Sequence, residues 1–375
     1  MQEQILDTII IGVGQSGLAM AYYLKKINRN FLVLDGDKEI GGAWLKRWDS
    51  LKLFTPTEFN HLPGMHFPCP KGYYPNKFEV AQYLKDYVKE FDFNIKLKQV
   101  VFAIEKENDV FRVECQNDIF YSKEVVVATG PFHIPFTPSF SKNIPKEIKQ
   151  LHSKEYRNPS QLQKGTVCVV GGGDSGVQIA KELANQNFEV ILASDQNNFR
   201  SLPQSILGKT LWWWFEKTGL LSVKVNSKLG KFLSHQMQPV IGTNVKALLA
   251  KENVTKAGRA IGFNNNTLEF KDYKSSVKNI IWATGYKPDF SMLKFDQLLD
   301  KNGYPKQERG ICSQPGLYFI GLPWMYTRGS ATLGGVGKDA AFIAERMKEN
   351  QLYSQLDEKY LGQESYKLNL QLSSV

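Results

Sequence analysis

The stretch Thr8-Ile9-Ile10-Ile11-Gly12-Val13-Gly14-Gln15-Ser16-Gly17 decides the fold. An apolar β-branched run closes on G-x-G-x-x-G, and Leu18 to Leu24 continues with helix-like apolar spacing, so the segment predicts a strand, a tight turn and a helix of the dinucleotide-binding kind. Each glycine answers a separate need. Gly12 permits the turn, Gly14 lets the backbone approach a pyrophosphate, and Gly17 lets helix and strand pack closely. A phosphate then sits at the helix N-terminus beside Gln15 and Ser16, where unpaired N–H groups and the helix dipole favour negative charge.

The pattern recurs at Thr166-Val167-Cys168-Val169-Val170 followed by Gly171-Gly172-Gly173-Asp174-Ser175-Gly176. Two nucleotide sites in tandem are therefore expected. A longer echo supports this, because Val125 to Gly130 and Ile280 to Gly285 both read as strands ending in Ala-Thr-Gly, with Thr129, Gly130, Thr284 and Gly285 at their ends. The strand Phe31-Leu32-Val33-Leu34 ends at Asp35, 23 residues beyond Gly12. A carboxylate about 20 residues after the first glycine is suited to a ribose hydroxyl pair.

The expected fold class is α/β, with two Rossmann-like dinucleotide-binding domains of three layers, the second inserted in the first. The first domain is expected over residues 1–157 plus 286–350, resuming through a strand near Gly316 to Gly321 and a helix from Asp339 to Met347. The second occupies 158–285, and residues 351–375 form a polar tail. Val101 to Lys106 and Val110 to Cys115 read as a hairpin.

Composition excludes several classes. With 375 residues and 42% hydrophobic content the chain can core two domains, and it is not disordered. No apolar run approaches the roughly 18 residues a membrane span requires, and the first strand begins too early for a leader, so the expected location is cytoplasmic. The net charge of +10 comes from dispersed lysines without a nucleic-acid motif, so no nucleic-acid partner is expected. Cys69, Cys115, Cys168 and Cys312 are far apart, with no C-x-x-C and no metal-ligand spacing. That argues against a metal and against the dithiol a flavin disulfide reductase needs.

With both fingerprints, Gly41-Gly42-Ala43-Trp44, Leu51-Lys52-Leu53-Phe54-Thr55-Pro56, both Ala-Thr-Gly strands, His152-Ser153-Lys154-Glu155-Tyr156 and Thr327 to Gly337 in this order, the chain resembles the flavin-containing monooxygenases over residues 5–347. Within them it is similar to the compact bacterial class B enzymes, to plant YUCCA-type enzymes and to CzcO-type flavoproteins associated with cation transport. The resemblance implies FAD at the first site, held by Gly12, Gly14, Gln15, Ser16, Gly17, Asp35, Gly42, Trp44, Thr129, Gly130, Arg328, Ser330 and Gly335. It implies NADPH and/or NADH at the second, held by Gly171, Gly173, Asp174, Ser175, Gly176, Ser194, Asp195, Arg200, Thr284 and Gly285. Hydride would pass to the flavin, and a C4a-hydroperoxyflavin formed with O2 would oxygenate a soft nucleophile, a sulfide or amine, in a small organic substrate. Phe54, Thr55, His152 and Tyr156 are the catalytic positioning candidates. The alternative is an NAD(P)H oxidase or electron-transfer flavoprotein that does not oxygenate a substrate.

Three departures qualify the match. Lys146 and Ile148 stand where the family signature has Phe and Gly ahead of His152, and Phe54-Thr55 stands where many members place an asparagine. Ser194-Asp195-Gln196 follows the second strand of the second domain where NADPH-strict members carry an Arg. A carboxylate there suits a bare ribose, so NADH is expected to be accepted, with Arg200 able to serve NADPH. The run Trp212-Trp213-Trp214-Phe215, flanked by Lys209, Lys217, Lys224, Lys228 and Lys231, cannot all face one core. A homodimer interface, a substrate-channel cover, core packing and a peripheral membrane contact are the alternatives.

Overall fold

Runs of β-branched residues set two sheets, the first parallel at its centre with antiparallel strands added beside it and the second parallel throughout, and the loops at one end of each carry the fingerprints. The computed structural model describes residues 4–195, 200–236 and 238–352. Strand β1 (Ile5–Ile11) leads through the first fingerprint into helix α1 (Gln15–Lys26), then to β2 (Phe31–Leu34) and, after a hairpin at Val101–Glu107 and Val110–Cys115, to β3 (Ile119–Val127). In the sheet β1 lies between β2 and β3, parallel to both, with Ile9 opposite Leu32 on one side and Val125 on the other. Ile9 and Ile10 are fully buried, because a parallel sheet is covered on both faces and its central strand has no solvent side.

The second sheet repeats this arrangement. It is built from β4 (Lys149–His152), β5 (Val167–Val170), β6 (Val190–Ala193), β7 (Val254–Ala257) and β8 (Asn279–Trp282) in the order β7-β6-β5-β8-β4, all parallel. Helix α2 (Asp174–Asn185) follows β5, which lies between β6 and β8 as β1 lies between β2 and β3. The chain then returns through β9 (Leu317–Phe319), parallel to β3 in the first sheet. All strands of the second sheet thus lie between β3 and β9 in sequence, the topology of a Rossmann-like unit inserted in another. Lys149–His152 belongs to the second sheet although it precedes residue 158. A helix runs from 336 to 352, and the expected tail lies outside the described residues from 353 onward.

Between β6 and β7 the chain makes a long excursion with a hairpin (Ser205–Ile206 with Lys209–Thr210), helix α3 (Leu211–Lys217) and a further helix at Lys228–His235. The tryptophan run begins α3 and is split by it: Trp212 is buried, while Trp213 and Trp214 are half-buried. No helix among the described residues is long and apolar enough to cross a membrane.

The glycines of the first fingerprint make a direct test of the packing. A Cβ on Gly17 would lie 1.9 Å from the Gly12 carbonyl oxygen, whereas one on Gly14 would meet nothing within 4 Å. Gly17→Ala should therefore destabilise the chain by more than about 3 kcal/mol in urea melts, and Gly14→Ala by less than about 1 kcal/mol.

Candidate functional site

Each fingerprint is a cradle of three glycines with two different duties. Gly12 has φ +110° and its Cβ would come within 2.8 Å of the Ala128 carbonyl oxygen; Gly171 has φ +130° and meets the Ala283 oxygen at 2.2 Å. Gly176 is barred by the Gly171 carbonyl at 2.0 Å, as Gly17 is by Gly12. The chain itself thus requires the first and third glycines. Gly14 and Gly173 cap α1 and α2 in ordinary extended conformations, neither helix start has a side-chain cap, and an added Cβ on either glycine meets nothing. The same is true of Gly130 (φ +72°) and Gly285 (φ +85°), which end the two Ala-Thr-Gly segments. Each half therefore offers open backbone beside an uncapped helix N-terminus, which is what a pyrophosphate needs.

Asp35 completes the first cradle. Its carboxylate accepts the Val13 and Asp37 backbone N–H groups, both at 2.7 Å, which fixes both oxygens beside the fingerprint turn and leaves acceptor capacity for hydroxyl donors. Burial raises its pKa, and those two bonds oppose the rise. Gln15 reaches across to the Ala331 carbonyl at 3.4 Å, tying the start of α1 to the loop that carries Arg328. Ser16 and Gly42 are buried, and Trp44 is half-buried against the main core. Ser330 is fully buried, and its hydroxyl accepts the N–H groups of Tyr326 and Thr327, so it shapes this loop from within. Gly335 closes the same loop, 2.1 Å from the Gly329 oxygen if given a Cβ.

Arg328 differs from these. Its half-buried guanidinium lies 4.9 Å from the Phe215 ring centroid and has no carboxylate within ion-pair distance among the described residues, and desolvation lowers its pKa. Beside it, Trp212 stacks on Phe54 at 5.8 Å and donates its indole N–H to the Phe54 carbonyl at 2.9 Å. The loop before Arg328 also pairs with Lys224 of the excursion. A cation and an aromatic wall thus stand where the two units meet.

The other positioning candidates are engaged within the protein. Thr55 is buried, and its hydroxyl bonds to Asn60, whose amide donates to the Thr55 and Pro56 carbonyls at 2.8 and 3.1 Å. His152 accepts the Lys154 N–H on Nδ1 at 3.1 Å, which leaves Nε2 to donate to the Gly285 carbonyl at 3.0 Å. Its ring is thereby neutral, and burial pulls its pKa down. Tyr156 is fully buried and donates to Glu182 of α2 at 2.8 Å, and burial pushes its hydroxyl pKa far up. These two side chains hold backbone and helix in place around the second cradle. Thr129 contacts His133 at 3.2 Å, and the Thr284 hydroxyl donates to the Phe136 carbonyl.

At the end of β6 the carboxylate is not bare. Asp195 pairs with Arg259 at 3.2 Å and Lys271 at 3.5 Å, so the surface there carries two cations for one anion. The two partners lie 64 and 76 positions further along the chain, beyond any sequence motif. Ser194 is buried, Ser175 is half-buried near the start of α2, Arg200 is exposed, and Gln196 lies outside the described residues. The four cysteines are all free, and no group of three metal-ligating side chains occurs among the described residues.

Two cradles with open helix starts, each at the ends of parallel strands, fit two dinucleotides, and with the family matches that follow they make the protein an FAD- and NAD(P)H-dependent oxidoreductase. Residues 9–209 match the family model for pyridine nucleotide-disulphide oxidoreductases. The chain is 43% identical to an uncharacterized CzcO-like oxidoreductase of Geobacillus kaustophilus over 91% of its length and 98% of that protein. It is 26% identical to the probable indole-3-pyruvate monooxygenase YUCCA3 of Arabidopsis thaliana over 90% of this chain and 85% of that one. Among solved structures, the flavin-containing monooxygenase of Stenotrophomonas maltophilia is similar at 25% identity and a TM-score of 0.78, covering 92% of this chain and 99% of that one. The protein belongs to the pyridine nucleotide-disulphide oxidoreductase family, in its flavin-monooxygenase and CzcO-type branch.

Asp174 carries a pH signature. Burial pushes its carboxyl up to about 6 against one backbone bond from Ile241. The folded state therefore holds a proton that the unfolded chain has already released, and stability is lost as pH rises from the unfolded pKa to about 6. Asp174→Asn retains an oxygen for the Ile241 N–H. It should stabilise the protein in urea melts by about 1–3 kcal/mol at pH 8, with the gain shrinking below about pH 6 and nearly gone at about pH 4.

Proposed function

We propose that the protein is an FAD-dependent monooxygenase that uses NADPH and O2 to oxygenate a soft nucleophile, a sulfide or amine, in a small organic substrate. The carrying observation is the pairing of open glycines, Gly14 with Gly130 and Gly173 with Gly285, which gives each half the same vacant backbone beside a helix start. Residues 1–157 plus 286–350 form the flavin-binding unit in this reading, apart from the strand Lys149–His152, which goes with the nicotinamide-binding unit of 158–285. FAD held by the first cradle and Asp35 would supply the redox chemistry, taking up hydride from the nicotinamide and passing electrons to O2.

The chain's own residues bind, orient and shield. Asp35 holds the first ribose through acceptor positions that Val13 and Asp37 leave free. His152 fixes the Gly285 carbonyl, so that the open backbone of the second cradle keeps its shape as the nicotinamide nucleotide arrives. Phe54, Trp212 and Phe215 form an apolar wall that excludes water from the meeting place of the two units, and Arg328 stabilises negative charge there. Arg259 and Lys271 receive the 2′-phosphate of NADPH, and Asp195 holds them in place.

The second reading, an NADPH oxidase, is favoured by one observation: Asn60 and Thr55 bond each other and the local backbone rather than presenting an amide outward. Oxygen stoichiometry separates the two. With a simple thioether present, peroxide released should fall well below O2 consumed; equal amounts with every sulfide and amine tried would leave only oxidase activity.

Coenzyme choice tests the cation pair. The double variant Arg259→Ala with Lys271→Ala should lower kcat/KM for NADPH by about 10–100-fold while changing that for NADH by less than about threefold. Equal losses for both coenzymes would show that the pair does not contact the phosphate.

A further inference from the structure

The hairpin before α3 places a residue where folding alone does not favour it. Ser205 pairs with Thr210 and Ile206 with Lys209, which leaves Leu207-Gly208 as a two-residue loop. Both loop residues have positive φ, +50° and +71°. Such a turn suits Asn-Gly, because asparagine and glycine enter the left-handed region readily and a leucine does not. Leu207 is strained there, and it is also 86% exposed, so no core contact compensates the strain. A strained apolar side chain held in water points to a use outside the fold.

Its surroundings say what kind of use. Ile206 is exposed beside it, and the Ile206 carbonyl accepts the indole N–H of Trp214 at 3.0 Å. Trp214 meets Trp213 edge to face at 4.8 Å, and the ammonium groups of Lys209 and Lys217 lie 5.8 and 5.9 Å from the Trp213 ring. One patch thus combines an aliphatic tip, two half-buried indoles and two lysines. From Ser205 to Gln236 the excursion carries Lys209, Lys217, Lys224, Lys228 and Lys231 against Glu216 alone among its carboxylates, and its second helix exposes Leu229 and Phe232 beside Lys228 and Lys231. A second copy of the chain seated on this patch by a two-fold axis would bring like charge against like. An anionic surface with an apolar interior fits both parts.

We infer that the hairpin tip and α3 dock the protein on the surface of an anionic lipid bilayer. Leu207 and Ile206 enter the boundary below the headgroups, Trp213 and Trp214 lie at headgroup level, and the lysines meet the anionic headgroups. Attachment is reversible, since a two-residue tip buries little area. The opposite side of α3 presents Trp212 to Phe54. Docking therefore brings the aromatic wall close to a bilayer, from which apolar substrates can enter. The inference stands on the hairpin and its charge, independently of the reaction proposed above.

Co-sedimentation of the FAD-loaded protein with vesicles tests it. The protein should bind phosphatidylcholine vesicles containing about 30% phosphatidylglycerol, bind pure phosphatidylcholine far less, and release as salt is raised to about 0.5 M. Leu207→Asn supplies the residue the turn prefers, so it should leave Tm unchanged or raise it while lowering the partition coefficient about fivefold or more. Lys209→Glu with Lys217→Glu should weaken binding to the anionic vesicles further. The inference fails if the parent protein does not sediment with anionic vesicles, or if Leu207→Asn binds as well as the parent. It fails equally if Leu207→Asn lowers Tm by several degrees, which would give Leu207 a role in the fold, or shifts the solution mass, which would seat the tip in a second copy.

Discussion

Backbone pressed against backbone at Gly12 and Gly17 is the constraint from which the rest follows. The Gly12 carbonyl oxygen bars a Cβ on Gly17 at 1.9 Å, and the Ala128 carbonyl oxygen crowds one on Gly12 at 2.8 Å. Helix α1 can then start directly above the ends of β1 and β3, and its first N–H groups remain unpaired and open at Gly14. The second half repeats the contact with Gly171, Gly176 and Ala283. This accounts for the echo of Ala-Thr-Gly in both strands: the alanine carbonyl covers the turn glycine, and the final glycine adds open backbone. Removal of any of these glycines that the chain itself crowds would move a helix away from its sheet, and the phosphate position would move with it.

Around the second cradle, side chains that resemble catalytic groups act on the protein instead. His152 holds Gly285, Tyr156 holds Glu182, and Arg47 donates to the Tyr286 hydroxyl at 2.7 Å while lying against Phe132 and Tyr286. A neutral, doubly bonded imidazole has no proton to exchange near neutral pH without breaking one of these bonds. That suits a protein whose reactive group is a cofactor, because the protein's task is then geometry and exclusion of water. Arg328 stands apart as a desolvated cation beside an aromatic wall, the kind of fixed charge that stabilises a developing anion.

The fold was legible because its signals are local. Each G-x-G-x-x-G lies between a run such as Thr166 to Val170 and a helix start, and the return of the chain through Leu317–Phe319 could be anticipated from an apolar run after the second Ala-Thr-Gly. The local geometry of the turns was legible to the same extent: the crowded glycines and the bond from Val13 to Asp35 lie within about 23 residues of one another. What was hidden depends on contacts across long separations. Arg259 and Lys271 pair with Asp195 from 64 and 76 positions away, and Trp212 meets Phe54 across 158 positions. Asn60 was overlooked for another reason: its amide serves the loop at Thr55 and Pro56, which a residue type alone does not reveal. The strained turn at Leu207 was equally invisible, since only the register of Ile206 on Lys209 makes it a two-residue loop.

That the two cradles work together, one nucleotide reducing the other, is tested most directly by an anaerobic titration of the FAD-loaded protein with NADPH. The account predicts that about one equivalent of NADPH bleaches the flavin absorbance, and that air restores it. A flavin that stays oxidised through a large excess of both NADPH and NADH would contradict it, whatever the shape of the cradles.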